Sequence, residues 1–345
     1  MYRSTLEDVA KSAGVSIKTV SRVVNNEPNV REDTQKRVSR AIEELNYRPN
    51  VSARNLASQR SHLIALLYDD PAAYELPSSG YIINMQEGVL KACRENNYDL
   101  LIHPCRPKNR NIIREIKSLI DHARPDGIIV AAPLSNMPKI IRTIESAGTT
   151  VVCLSPGKKD PKHSTISTND QEISGMMVHH LHSLGHKSIA FIAGEPSHKA
   201  VANRLSGFRK GMQECGLKIQ ETLILQGDNS VGAGETATEK LMARKSPPTA
   251  IFAANDDMAV GVMRAAKRLG IVIPDELSVA GYDDIALAKQ VYPTLTTITQ
   301  PLAKMAEHAA KIVIEGATSK EAVQRLEIIP GTLQIRESTG RVPEY

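Results

Sequence analysis

At 345 residues, with 41% hydrophobic and 23% charged residues, the chain is long enough for two or three units with cores that need no staples. It shows no apolar N-terminal run and no stretch of 18 apolar residues, which argues against a secretory signal or a membrane span and predicts a cytoplasmic protein. The net charge of +5 is unevenly placed: residues 1–60 hold 11 Lys/Arg against 7 Asp/Glu, and the remainder 32 against 31, as in a nucleic-acid-contacting head on a nearly neutral body.

From Leu6 the spacing predicts two short helices joined by a tight turn. Thr5 is a candidate N-cap with Asp8 as its capping-box partner, and Leu6, Val9, Ala10 and Ala13 recur at helical spacing. Gly14 permits the positive φ of a sharp turn, and Ser16 can cap a second helix. In that helix Val20, Val23 and Val24 share an apolar face, while Ile17, Lys18, Ser21 and Arg22 fall on the opposite side. This is the pattern of a helix-turn-helix, whose second helix enters the DNA major groove. Lys18 and Arg22 carry donors suited to guanine O6 and N7, and Ile17 offers apolar contact such as a thymine methyl accepts. Ser16, Thr19, Ser21 and Asn25 suit phosphate oxygens, although capping explains Thr19 and Ser21 equally well. A third helix over Val30–Leu45 completes a head domain over residues 1–46. Tyr47-Arg-Pro-Asn50 breaks it. The short helix-compatible stretch Val51–Ser58 within a 47–61 hinge needs a partner to fold.

Beyond His62, apolar strand-like runs alternate with helical stretches. Leu63–Tyr68, Asp99–His103, Asp126–Ala131 and Thr150–Leu154 form one series. Ser188–Ala193, Leu223–Gln226, Ala250–Ala253 and Ser278–Ala280 form another. Such alternation predicts two parallel sheets covered by helices. Ligands of open parallel sheets bind at the strands' carboxyl ends, so two facing lobes place a ligand between them. The expected core runs over 62–345, with one lobe at about 62–160 plus 294–329 and the other at about 161–293 plus 330–345.

The whole chain resembles the lactose/galactose repressor (LacI/GalR) family of bacterial transcription factors. The resemblance rests on Leu6–Asn25, Tyr47-Arg-Pro-Asn50 with Ala53 and Leu56-Ala57, and Leu184–Gly194. It continues through Arg204-Leu-Ser-Gly-Phe208, Ala253-Ala-Asn-Asp-Asp257, Val279–Asp284, Leu295–Pro301 and Arg336-Glu-Ser-Thr339, all in family order. The resemblance implies an all-α helix-turn-helix head plus an α/β two-lobed core of the periplasmic-binding-protein-like (type I) kind. It further implies a homodimer on palindromic double-stranded operator DNA, controlled by a small effector; no catalytic constellation is found in the sequence, and no enzymatic activity, cofactor or metal is expected. Asn50 and Ala53 would lie in the hinge helix, and Leu56 would wedge into the minor groove at the operator centre. Arg204, Asn255 and Asp283 match family positions that reach into the cleft and suit a polyol, while Asn255 could instead only cap the following helix. Tyr68 and Asp69 end the first strand and should face the cleft, with Tyr81 beside them. Ser155 stands where some sugar-binding relatives carry an Asp. With no Trp and three Phe, sugar stacking falls to Tyr68, Tyr81, Tyr282 or Tyr292. The favoured effector is a sugar or glycoside. The alternatives are a purine corepressor, a response to a partner protein, or a sugar receptor without DNA function.

Other signals carry less. The cysteines Cys93, Cys105, Cys153 and Cys215 form no Cys-x-x-Cys pair and read as reduced thiols. His182 and His186 have metal-like spacing, but Gly185 ends their helix and no further ligand completes a set. Gly232-Ala-Gly234 lacks the third glycine of a dinucleotide fingerprint. Asp256-Asp257 and Asp283-Asp284 resemble acid/base pairs but fall where ligand contacts are expected. No heptad tail follows Thr339, which predicts dimers without tail-mediated tetramers.

Overall fold

The computed structural model describes residues 4–24, 30–47, 60–69, 80–157, 162–318 and 324–342. The chain divides into two units, Met1–Ser61 and His62–Tyr345. Asn25, Asn50, Ala53, Leu56 and the hinge stretch 51–58 lie outside the described residues.

The first unit contains α1 (Leu6–Ala13), α2 (Ile17–Val24) and α3 (Glu32–Glu44). Thr5 and Asp8 form the reciprocal capping box at the start of α1, which satisfies two donors that a helix start otherwise leaves open. Gly14 closes α1 at φ +64°. Val9, Ala10, Ala13, Val20, Val38 and Ala41 make the core, and Tyr47 is buried with them. The head core therefore reaches one residue beyond the expected end at Asn46, because the Tyr47 ring supplies apolar area that three short helices lack.

In the second unit, six parallel strands form the first sheet in the order β11-β5-β4-β3-β1-β2. They are β1 (Leu63–Asp69), β2 (Asp99–Cys105), β3 (Gly127–Val130), β4 (Thr150–Leu154), β5 (Ser164–Ser167) and β11 (Leu326–Ile328). The second sheet is also parallel, in the order β7-β6-β8-β9, from β6 (Ile189–Ala193), β7 (Ile224–Gln226), β8 (Ala250–Ala253) and β9 (Ser278–Ala280). A separate antiparallel pair joins β10 (Thr297–Thr299) to β12 (Thr332–Gln334). Helices α4 (Gly80–Glu95), α5 (Ile112–Ala123), α6 (Pro138–Ser146) and α12 (Leu302–Thr318) accompany the first sheet. The second packs with α7 (Asp170–Ser183), α8 (Lys199–Glu214), α9 (Val231–Met242) and α10 (Asp256–Arg268), and the short α11 (Ala286–Gln290) follows β9. Fully apolar central strands such as Ile189–Ala193 are buried on both faces, as two-sided helix cover requires.

Sheet pairing moves the expected lobe boundaries. Ser164–Ser167 pairs with β4 and β11 in the first sheet, so the first lobe extends past residue 160. Residues 296–299 instead join the second lobe's side, through bridges Ala280–Thr296 and Asp283–Thr299 and the pairing of β10 with β12. The chain thus crosses between lobes after β5, after β10 and after β11. Asn169 ties two crossings together, its side-chain oxygen accepting the Gly331 N–H at 2.9 Å.

Candidate functional site

Every parallel strand but the edge pair β5 and β11 sends its carboxyl-end loop or residue to one cavity of about 710 Å³ between the lobes. Tyr68 and Asp69 arrive from β1, Lys108 from the loop after β2, Ala132 from β3 and Ser155 from β4, with Tyr81 from the first turn of α4. Glu195 and His198 follow β6, Arg204 stands on α8, Asp228 and Asn229 follow β7, Asn255 and Asp257 follow β8, and Asp283 follows β9. Gln300, in the second crossing, joins them. All seven residues expected in the cleft therefore line a single cavity.

Arg204 is its electrostatic centre and is only 6% exposed. Its Nε donates to Asp170 Oδ1 at 3.2 Å, Nη1 to the Ala254 carbonyl at 2.5 Å, and Nη2 to Gln300 Oε1 at 3.1 Å. Nη2 also faces Asp283 Oδ1 at 3.4 Å. The guanidinium stacks 3.6 Å above the Tyr282 ring, and the Tyr282 hydroxyl donates to Asp170 Oδ1 at 2.8 Å. Burial opposes the guanidinium charge, but Asp283, Tyr282 and Asp170 outweigh it and raise its pKa. Burial raises the Asp170 carboxyl against the pull of Arg204 and Tyr282. Burial likewise pushes Asp283 up to about 7, with Arg204 opposing and Asp257 and Asp170 adding to the rise. Asp283 is held at φ +113° and Ser155 at φ +47°, a left-handed backbone that costs free energy and tends to gather at functional sites.

Asn255 both lines the cavity and caps α10: its Oδ1 accepts the Met258 N–H at 3.0 Å, and its Nδ2 donates to the Asn229 carbonyl at 3.0 Å. The two acidic pairs split. Asp257 and Asp283 line the cavity. Asp256 turns inward to accept from Thr297 Oγ1 (2.5 Å) and the Ile285 N–H (3.0 Å), and Asp284 accepts from Arg336 Nη2 at 2.6 Å. Adjacent residues leave a strand end or helix start in different directions, so a pair cannot serve one site together. Of the four tyrosines considered for stacking, Tyr68 and Tyr81 line the cavity, Tyr282 is fully buried beneath Arg204, and Tyr292 is 91% exposed. Phe208 is core. His186 is fully buried, bonded to Thr249, Ser278 and the Gly340 carbonyl, and burial lowers its pKa. No metal-holding group of His, Cys, Asp and Glu occurs among the described residues, and no described helix is long and apolar enough to cross a membrane.

On the head, Ile17 is 46% exposed, Lys18 and Arg22 are exposed, and Ser21 is half-buried. Ser16 Oγ accepts the Thr19 N–H at 3.1 Å and bonds Thr19 Oγ1 at 2.9 Å, so both hydroxyls serve the start of α2. The valine face is turned into the core. A partly basic surface is thereby left on one side of α2.

Residues 5–50 match the family model for bacterial regulatory proteins of the lacI family, and 178–339 match a periplasmic binding protein-like domain. Over 98% of both chains the sequence is 33% identical to the HTH-type transcriptional regulator DegA of Bacillus subtilis (strain 168). The chain belongs to the LacI family of bacterial transcriptional regulators. A second LacI-type relative, the HTH-type transcriptional repressor PurR of Vibrio parahaemolyticus, is 31% identical over 98% of this chain and 99% of its own. Among solved structures, the lac repressor dimer bound to operator and the anti-inducer ONPF superposes with a TM-score of 0.80 at 27% identity, covering 98% of this chain and 100% of that one. The transcriptional regulator CelR–cellobiose complex gives 0.75 at 28%, over 97% and 100%. As a LacI-family regulator, the chain has the expected helical head and two-lobed parallel α/β core.

Two network residues, Asp170 and Gln300, escaped sequence reasoning. Asp170 looks like an ordinary acidic first-turn residue of α7. Gln300 lay inside the quoted Leu295–Pro301 stretch, and its polar type just before a proline was the available signal.

Proposed function

We propose that this LacI-family regulator is a repressor that binds a palindromic operator as a homodimer and is switched by a small sugar or glycoside in the interlobe cavity. The convergence of Tyr68, Asp69, Tyr81, Ser155, Arg204, Asn255 and Asp283 on that cavity carries the proposal. Carboxylates, an amide and hydroxyls around an apolar wall suit a polyol. Two structural neighbours, the CelR–cellobiose complex and the lac repressor dimer bound to operator, support the sugar and the dimer. In this reading Lys18 and Arg22 contact guanine edges, Ile17 a thymine methyl, and Ser16, Thr19 and Ser21 phosphates. Asn25, Asn50, Ala53 and Leu56 complete the DNA contacts. The protein works without catalysis, in the cytoplasm, where the chromosome is.

The effector acts because it prefers one arrangement of the lobes, and operator affinity follows the same equilibrium. The test is selection of operator sequences from random DNA by the purified protein, repeated with panels of sugars and of nucleobases. A sugar that changes operator affinity at least fivefold is expected. A nucleobase that tightens binding instead would replace the sugar, and selection of no sequence would end the repressor proposal.

A further inference from the structure

The described wall of the cavity holds five carboxylates, Asp69, Glu195, Asp228, Asp257 and Asp283, against two permanent cations, Lys108 and Arg204. Lys108 and Asp228 are both solvent-exposed, which leaves the half-buried Asp69 and Glu195 and the buried Asp257 and Asp283 against Arg204. Arg204 is already engaged by Asp170, Ala254, Gln300 and Asp283, so it has no uncompensated charge to offer an anion. Two buried acceptors remain. Among the described residues Asp69 Oδ1, a buried atom on a side chain 19% exposed, has no hydrogen-bond partner, and the other Asp69 oxygen stands 3.9 Å from His198 Nε2, beyond hydrogen-bond reach. Asp283 is 9% exposed, and its Oδ1 makes no hydrogen bond beyond the 3.4 Å approach of Arg204.

A buried carboxylate oxygen without a donor is costly, and an excess of carboxylates on a cavity wall adds to the cost. Hydroxyls of a neutral sugar supply the donors but leave the charge. An acidic ligand adds to it. An ammonium supplies three donors and cancels one charge in the same contact, and such charge-assisted bonds are the stronger kind. We infer that the effector presents a protonated amine to Asp69 and carries no acidic group, and so is an amino sugar, not a uronate or a sugar phosphate. The inference rests on the cavity being the effector site.

Matched ligands separate the two ideas. The full-length protein is titrated by calorimetry at pH 7 with D-glucosamine, D-glucose and D-glucuronate, and with the β-1,4-linked disaccharides of each. In the set that binds, the amine is expected at least tenfold tighter than its neutral counterpart, with the uronate weakest. Asp69→Asn should cut the amine's advantage over the neutral sugar below threefold by weakening the amine more than the neutral sugar, with thermal unfolding confirming that the variant is folded. Equal binding of neutral and amine forms, tightest binding of the uronate, or no binding in either set overturns the inference. A ligand whose affinity survives Tyr81→Ala and Asp69→Asn alike binds elsewhere, and that result removes the cavity reading itself.

Discussion

Arg204 holds two carboxylates, a carbonyl and an amide in one buried network, so its removal does more than delete a ligand contact. In Arg204→Ala, Asp170 and Asp283 face each other without a counter-charge. Breaking a buried pair from one side costs about 3–5 kcal/mol, and urea unfolding should show a loss of that order. Asp283 makes a separate, pH-dependent contribution. Its folded pKa of about 7 lies above the ordinary carboxylate value of 3.8, so between about pH 4 and 7 the folded state holds a proton that the unfolded state has released. Stability from this group is complete below about pH 4 and is lost as pH rises to about 7. Asp283→Asn should remove that component: between pH 4 and 7 the wild type should lose stability relative to the variant with a slope approaching about 1.4 kcal/mol per pH unit, and a difference flat across this window would refute it. The end of the first strand made Tyr68 and Asp69 legible in the sequence, with Tyr81 beside them, and the family resemblance pointed to Ser155, Arg204, Asn255 and Asp283. Directions were not. Nothing in Asp256-Asp257 or Asp283-Asp284 says which carboxylate faces the cavity, and Tyr282 is indistinguishable from Tyr81 until Asp170 is seen taking its hydroxyl.

Helices α7 and α8 touch through glycines, and a Cβ at Gly207 would collide with the Gln171 carbonyl oxygen. Because Gly207 lies one turn beyond Arg204, Gly207→Ala must push α8 outward and carry the guanidinium with it. The expected cost is about 1–3 kcal/mol of stability, with a severalfold weaker effector, read by denaturation and calorimetry. Gly232→Ala in the first turn of α9 is the control: the nearest atom is Ser230 Oγ at 3.9 Å, and a helix gains about 0.4–1 kcal/mol from such a change where space allows. The buried central strands were visible as apolar runs because helices cover both their faces. The last two strands at one end of the first sheet, β5 and the edge strand β11, were not: Ser164-Thr-Ile-Ser167 is short and polar, and Leu326–Ile328 is half-open to solvent. Their strand state comes from long-range pairing, which no local pattern encodes. Helix α12 was likewise missed, although Met305, Ala306, Ala309, Ala310 and Val313 form a buried stripe at helical spacing.

Across the whole core, Gln300 is the residue where cavity and crossing meet. Its Oε1 takes a hydrogen bond from Arg204 of the second lobe, and its Nε2 reaches Ser155 Oγ of the first at 3.5 Å. Gln300→Ala should therefore weaken the link between effector and operator more than effector binding itself. Effector affinity should fall less than tenfold, while operator affinities measured by fluorescence anisotropy with and without effector converge. Unchanged switching would show that the lobes are coupled elsewhere.

The threefold crossing has a practical consequence for exchanging parts between proteins of this build. A head can be swapped with a single junction in the region between Tyr47 and His62, since the two units are separate in sequence. A lobe cannot. Its strands are drawn from segments on both sides of residues 167, 300 and 330, so a chimera joined at any one of those points combines half-sheets from different parents. New operator specificity can therefore be gained by one recombination event, whereas a whole new lobe needs three junctions for the second lobe and four for the first, which leaves point substitution in the cavity wall as the easier route to a new effector.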